Sequence, residues 1–446
     1  MQDFLYNDSR MGGGVSMVKA NERDLIAAIL TDMQTNGSYS NLLLRKTLNK
    51  NNALTTAQKA FVTETVNGVL RNFIYIDYIL ERFSNTPLVK MKPYVLNVLR
   101  MSIYQLLFMD KTPDFAVCNE AVELIKKKNM QGLTGFVNGV LRGVLRGINS
   151  LELPEGNTAA YLSVRYSCPM WLTERFIRQY GFECARDMLA ANTTTPDVTL
   201  CVNTCKATVE EVREKLAAEG GSVMPARVAP NALHVSGTSD MTSLSSFREG
   251  LYHVMDESAM LAVITAEPKE NMHIIDMCAA PGGKSFATAY LSNDKAKISA
   301  RDVYDHKTDL LKAGAARLGL QSIAVKYADA EKLYKEDIAS ADIVLVDAPC
   351  SGFGLLRKKP DIRLTRTEGD IKLLAAMQRR ILRIAAQYVR PGGILLYSTC
   401  TLTKEENEDN AEWFTAEQPF HELTRRTVFP QEYGTDGFFI SKFVKE

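Results

Sequence analysis

A chain of 446 residues, 46% hydrophobic and 24% charged, can bury several cores; that size fits two to four globular domains and argues against a fibrous or wholly disordered protein. Net charge is only +1, yet residues 18–148 carry +7 and the remainder about −6, as a basic polyanion-binding arm on a mildly acidic body would; an ordinary solvated helical surface accounts for the charge equally well. No apolar run approaches the roughly 18 residues of a membrane span, and eight cysteines without a C-x-x-C pair suit neither a zinc site nor a disulfide framework, so reduced thiols, no metal and no membrane association are expected.

The opening MQDFLYNDSRMGGGVSM has neither a basic stretch before an apolar core nor a small-residue cleavage site. A cytoplasmic protein is expected, with Met11 or Met17 as an alternative start. Next, Leu25, Ile26, Ile29, Leu30 and Met33 fall on one helical face, as do Tyr94, Val95, Val98, Leu99, Ile103, Leu106 and Leu107. Strand patterns are absent, so residues 18–150 read as an all-α bundle. It ends beyond the basic Lys126-Lys127-Lys128 and the Gly-broken segment from Val137 to Arg142, at Leu153-Pro154-Glu155-Gly156.

Residues 160–245 read as a small α+β module. A helical stretch from Trp171 to Leu189 leads into a strand at Val198–Asn203, a helix at Val209–Ala218, a Gly220-Gly221 turn, and short strands near Val223 and Leu233. From residue 246 to 446 apolar strands alternate with helices of ten or more residues, the pattern of a doubly wound, Rossmann-like α/β domain.

In that last domain, Ile274 to Ser285 is a strand, a small-residue loop (Cys278, Ala279, Ala280, Pro281, Gly282, Gly283) and a helix start at Lys284. Glycines allow close backbone approach, and a helix N-terminus offers free N–H groups to a ligand. The phosphate-loop pattern fits Gly283, Lys284 and Ser285 but has Cys278 where its first glycine belongs, which weakens an NTPase reading. Without a G-x-G-x-x-G fingerprint either, a nucleoside ligand lacking phosphate fits better. Asp302, Asp329 and Asp347 end the three following strands. One such aspartate is more often a turn cap; three in register point to a site.

Two cysteines close buried strands: Cys350 after Asp347-Ala348-Pro349, and Cys400 after Tyr397-Ser398-Thr399. The carboxyl ends of parallel strands form the ligand rim, so these thiols are candidate nucleophiles rather than core packing. A cysteine protease is disfavoured because no histidine lies in either motif.

Taken in order, DMCAAPGGKS, DAPCSG and YSTCT resemble the RsmB/Sun (Fmu) family of ribosomal RNA cytosine-C5 methyltransferases. Arg165-Tyr166-Ser167-Cys168-Pro169, Phe247-Arg248-Glu249-Gly250, Asp256-Glu257-Ser258, Arg357 to Arg363 and Asp436-Gly437-Phe438 extend the resemblance over nearly the whole chain. It implies a NusB-like N-terminal domain and an S-adenosyl-L-methionine-dependent catalytic domain. The cofactor would be bound by Cys278 to Lys284 with Asp302, Asp329 and Asp347. Cys400 would be the nucleophile and Cys350 would assist product release. Two departures stand out: Cys201, where a basic residue is expected, and Met255, where glutamine is usual.

The chemistry needs such groups. Carbon 5 of cytosine is a poor nucleophile until a thiolate adds to carbon 6. Asp347 is placed to hydrogen-bond the base edge. The base must leave its stack, and Arg357, Lys358, Lys359 and Arg363 are expected to clamp phosphates at the pocket mouth. A DNA enzyme would attack with the Pro-Cys thiol and not need the Thr-Cys one, which favours RNA. The expected substrate is 16S ribosomal RNA, free or in early assembly. The same chemistry on another rRNA or a tRNA, or a non-catalytic RNA-binding or ribosome assembly factor, are the alternatives.

Overall fold

The computed structural model describes residues 21–37, 40–51, 53–110, 112–237 and 241–446. The alternative starts Met11 and Met17, and the first residues of the expected helical domain, lie outside them. Among the described residues, no helix is long and apolar enough to cross a membrane.

The N-terminal domain is a helical bundle built round the helix Pro93–Phe108. Proline at its first position needs no intrahelical N–H partner there. Every side chain from Val95 to Gln105 is buried, so this helix is enclosed on all sides rather than laid on a surface. Glu22–Asn36, Thr56–Arg71 and Asp114–Lys127 pack round it. The periodic faces meet as expected: Ile26, Ile29, Leu30, Val98, Leu99 and Ile103 form the core, with Leu25, Met33, Tyr94, Leu106 and Leu107 at its margin.

The middle module is an antiparallel sheet of β1 (Val198–Val202), β2 (Ser222–Pro225), β3 (Ala232–Ser236) and β4 (Tyr252–Val254), in the order β2-β3-β1-β4. The helix Val209–Ala218 packs on it and is started by a capping box between Thr208 and Glu211. Two features differ from the sequence expectation. β4 lies beyond residue 246, because three residues are too few to show an alternating pattern. The helix Met170–Tyr180 buries its apolar face not on this sheet but with Phe353, Leu356 and Leu402 of the C-terminal domain.

The C-terminal domain holds β5 (His273–Asp276), β6 (Lys297–Asp302), β7 (Ile323–Tyr327), β8 (Ala341–Asp347), β9 (Val389–Thr399), β10 (Phe420–Val428) and β11 (Phe438–Lys445). Their order is β7-β6-β5-β8-β9-β11-β10. β5 to β9 pair in parallel, while β11 runs antiparallel to β9 and β10 to β11. Apolar clusters on both faces explain why β5 and β8 read as continuous hydrophobic runs. The chain moves outward from β5 to β7 and returns to β8 on the other side. That reversal opens a crevice at the carboxyl ends of β5 and β8.

Candidate active site

The loop leaving β5 enters this crevice. Gly282 adopts φ +116°, and a Cβ there would sit 2.3 Å from Phe286 Cζ, so glycine is required on two counts. The helix Gly283–Leu291 starts with no side-chain cap, which leaves its first N–H groups at the crevice. Met255, Ala259, Asp276, Cys278, Ala279, Ala280, Pro281, Gly283, Lys284 and Asp347 line a cavity of about 120 Å³.

The cavity is polar at one end. Lys284 Nζ lies 2.7 Å from Asp347 Oδ2 and 4.9 Å from the centre of the Phe438 ring. Asp347 Oδ1 accepts from Ser398 Oγ at 3.0 Å, across the β8–β9 pairing. Asp276, fully buried, accepts from Ser285 Oγ at 2.6 Å through Oδ2, while its Oδ1 has no partner. Burial, aided by the Asp347 charge, pushes the Asp276 carboxyl up to about 6. A buried carboxylate oxygen without a donor, beside open backbone N–H groups, is a site for a small molecule bearing both ammonium or hydroxyl donors and a carboxylate.

Three residues past Asp347, Cys350 Sγ faces Cys400 Sγ at 3.1 Å. Both are free and partly exposed. The hydrogen bond between the two sulfurs, then burial, then the charges of Glu406 and Asp347, push the Cys350 thiol well above its ordinary value. Beneath the pair, Glu406 is fully buried and binds both thiol-bearing loops. The sequence reading missed Glu406, since the acidic run Glu405-Glu406 reads as an ordinary helix start. It also passed over Asp276 as a strand terminus.

The remaining expected site residues do not line this cavity. Asp302 and Asp329 sit on the same rim but do not line the cavity. Asp302 accepts from Tyr304 N at 3.2 Å and Asp329 from Glu331 N at 3.0 Å, each a turn cap two residues long. Of the four cations expected to hold phosphate, three are committed within the protein. Arg363, 2% exposed, donates to the carbonyls of Arg71, Ser167 and Leu356 at 2.9, 2.8 and 3.1 Å. Arg357 donates to Gly434 O, and Lys358 is held by Asp256 at 2.5 Å and Asp436 at 2.9 Å. The clamp role expected of Arg363 is therefore corrected, since it is buried at a junction with the helical bundle, while Arg357 is tied to Gly434 and Lys358, though partly exposed, is ion-paired within its own domain; a run of like charges shows none of these partners. Lys359 is exposed. Cys201 is fully buried on β1 under Asn231, so that departure concerns packing, whereas Met255 lines the cavity.

The probable ribosomal RNA small subunit methyltransferase B of Bacillus subtilis (strain 168) is 38% identical over 96% of this chain and all of its own length. The chain belongs to the 16S rRNA methyltransferase RsmB/F family. That family's methyltransferase profile matches residues 263–444, its ferredoxin-like domain 168–242, and the NusB family 20–146. The ribosomal RNA small subunit methyltransferase B of Proteus mirabilis (strain HI4320) is 32% identical over 87% of this chain and 90% of its own. Among solved structures, PH0851 superposes with a TM-score of 0.78 at 27% identity, covering 96% of this chain and 100% of that one. A methyltransferase homologue from Pyrococcus horikoshii gives 0.59 at 26% identity over 66% of this chain and 100% of that one. The RsmB/F fold is thus a NusB helical domain, a ferredoxin-like module and a Rossmann-like methyltransferase domain.

Proposed function

We propose that this protein methylates carbon 5 of a cytosine in 16S ribosomal RNA, with Cys400 as the nucleophile at carbon 6. The observation that carries the reading is the pair of thiols 3.1 Å apart on the rim, Cys350 three residues past Asp347, whose carboxylate lines the crevice. The loop from Cys278 to Lys284, with Asp276 and Asp347, would hold S-adenosyl-L-methionine, Asp302 and Asp329 lying further along the rim. When bound, that cofactor supplies an activated methyl group on a positive sulfonium.

Each protein group then has a task. Cys400 adds as thiolate to carbon 6, which makes carbon 5 electron-rich. Asp347, fixed by Lys284 and Ser398, accepts a hydrogen bond from the exocyclic amine of the flipped base. Cys350 keeps its proton, because its hydrogen bond with Cys400, then burial and nearby negative charge, oppose its ionisation. It therefore does not compete as nucleophile; its hydrogen bond stabilises the Cys400 thiolate as it leaves. The carbon-5 proton passes to water at the open rim. Lys359 and the basic helical domain would carry the RNA backbone.

The test compares two variants incubated with 16S rRNA and S-adenosylmethionine. Cys400→Ala should lose methyl transfer, while Cys350→Ala should accumulate a covalent protein–RNA species that migrates slowly on a denaturing gel. The reverse pattern would exchange the two roles. Bisulfite sequencing of rRNA from cells lacking the protein should show one unprotected cytosine; a change confined to another RNA would move the substrate and keep the chemistry. Failure to bind S-adenosylmethionine in calorimetry would favour a non-catalytic assembly factor.

A further inference from the structure

Glu406 is fully buried, and no cation stands among its hydrogen-bond partners. Its Oε1 accepts from Ser351 N at 2.8 Å and Gln378 Nε2 at 3.0 Å. Its Oε2 accepts from Ser351 Oγ at 2.5 Å and Thr403 Oγ1 at 2.6 Å. Ser351 follows Cys350, and Thr403 lies three residues past Cys400. Gln378, from the long helix Glu368–Tyr388, also donates to Pro349 O at 2.9 Å, just before Cys350. Ser351 Oγ is 2.7 Å from Thr401 Oγ1, beside Cys400. One carboxylate thus gathers donors from both thiol-bearing loops and from the helix behind them.

A buried carboxylate among neutral donors is an expensive arrangement, tolerated where all its acceptor sites are used. An apolar side chain would fill the space but leave Ser351 N, Ser351 Oγ and Thr403 Oγ1 without this acceptor. An amide would present donors where only acceptors are wanted. Only a carboxylate meets four converging donors from three segments.

We propose that Glu406 is a positioning residue that sets the gap between Cys350 and Cys400 by fastening their two loops together. The proposal rests on the methyltransferase reading for its effect on turnover, but not for its effect on the gap. Its charge also adds to the influences that keep Cys350 in the thiol form.

The experiment uses the full chain. Phenylarsine oxide, which condenses with two thiols to form two arsenic–sulfur bonds and release one water, reports the gap without any RNA. The parent should bind it one to one; Glu406→Gln should bind it roughly tenfold or more weakly, and its methyl transfer kcat should fall by up to about 10²-fold with the S-adenosylmethionine KM unchanged. In mass-spectrometric mapping of iodoacetamide alkylation, Cys350 of that variant should react at lower pH than in the parent, a shift that loss of packing alone would not produce. Should Glu406→Gln fail to give a folded melting transition, Ser351→Ala, which keeps the carboxylate and deletes one tie, should show the same losses in smaller degree. Unchanged arsenical affinity and kcat in the folded variant, or in Ser351→Ala if that variant carries the test, overturn the proposal. If the parent transfers no methyl yet the arsenical still separates the proteins, the bracing stands and the methyltransferase reading falls.

Discussion

The rim that carries Cys350 and Cys400 and the segment that follows it, Arg357 to Arg363, lie next to each other in the chain but use their reactive groups in opposite ways. On the rim, two thiols and the Asp347 carboxylate are left partly exposed, and the carboxylate lines the crevice. A few residues later, three of four cations are tied to carbonyls and carboxylates within the protein, Arg357 and Lys358 inside the C-terminal domain and Arg363 across to the helical bundle. Arg363 alone joins the helical bundle at Arg71, the segment at Ser167 and the catalytic domain at Leu356. The difference teaches that this basic segment acts as a junction: it fixes where the NusB domain stands relative to the thiols, and so where bound RNA would be presented.

The junction can be broken apart from the chemistry. Arg363→Met should destabilise the protein by about 3 kcal/mol, because buried carbonyls lose their charged donor. Denaturant melts of parent and variant check this, and a loss below about 1 kcal/mol would return Arg363 to the surface in solution.

A pH comparison probes the Lys358 node. Burial, then repulsion from Asp256, pushes the Asp436 carboxyl up to about 7. Burial also raises Asp256, but Lys358 outweighs it and holds that group down at about 2. A raised carboxyl favours the fold while protonated, so the stability Asp436 contributes is complete below about pH 4 and is lost as pH rises through 7. Asp436→Asn removes that dependence. The stability of the parent relative to the variant should therefore fall between pH 4 and pH 8, by no more than about 1.4 kcal/mol per unit. A difference independent of pH would contradict the assignment.

The smallest effect belongs to the one outward cation. Lys359→Ala should leave stability unchanged and lower the salt dependence of RNA binding by about one phosphate contact. If Arg357→Ala instead gave the pure salt effect, the junction and the surface would have been confused.

The contrast also explains what was legible in the sequence. A thiol directly after a buried strand is placed by the sheet, so Cys350 and Cys400 could be assigned to the rim from strand pattern alone. The helical bundle was legible because the faces of Ile26–Leu30 and Val98–Ile103 repeat at helical spacing. The direction of Arg363 could not be read, since a cation in a short loop looks alike whether it meets water or carbonyls. Asp302 and Asp329 lie at the ends of β6 and β7, one and two strands from β5, and which strand ends border the cavity is decided by the fold. Glu406 was hidden for a related reason: its partners come from three distant segments, and only the fold brings them to one carboxylate.

The central claim is that the Cys400 sulfur bonds to the target base. Incubating the protein with S-adenosylmethionine and 16S rRNA carrying 5-fluorocytidine tests it directly, because fluorine at carbon 5 cannot leave as a proton does and the adduct persists. Digestion and mass spectrometry should find the modified nucleotide on the peptide containing Cys400; finding it on the Cys350 peptide, or finding no adduct while ordinary RNA is methylated, would contradict the claim.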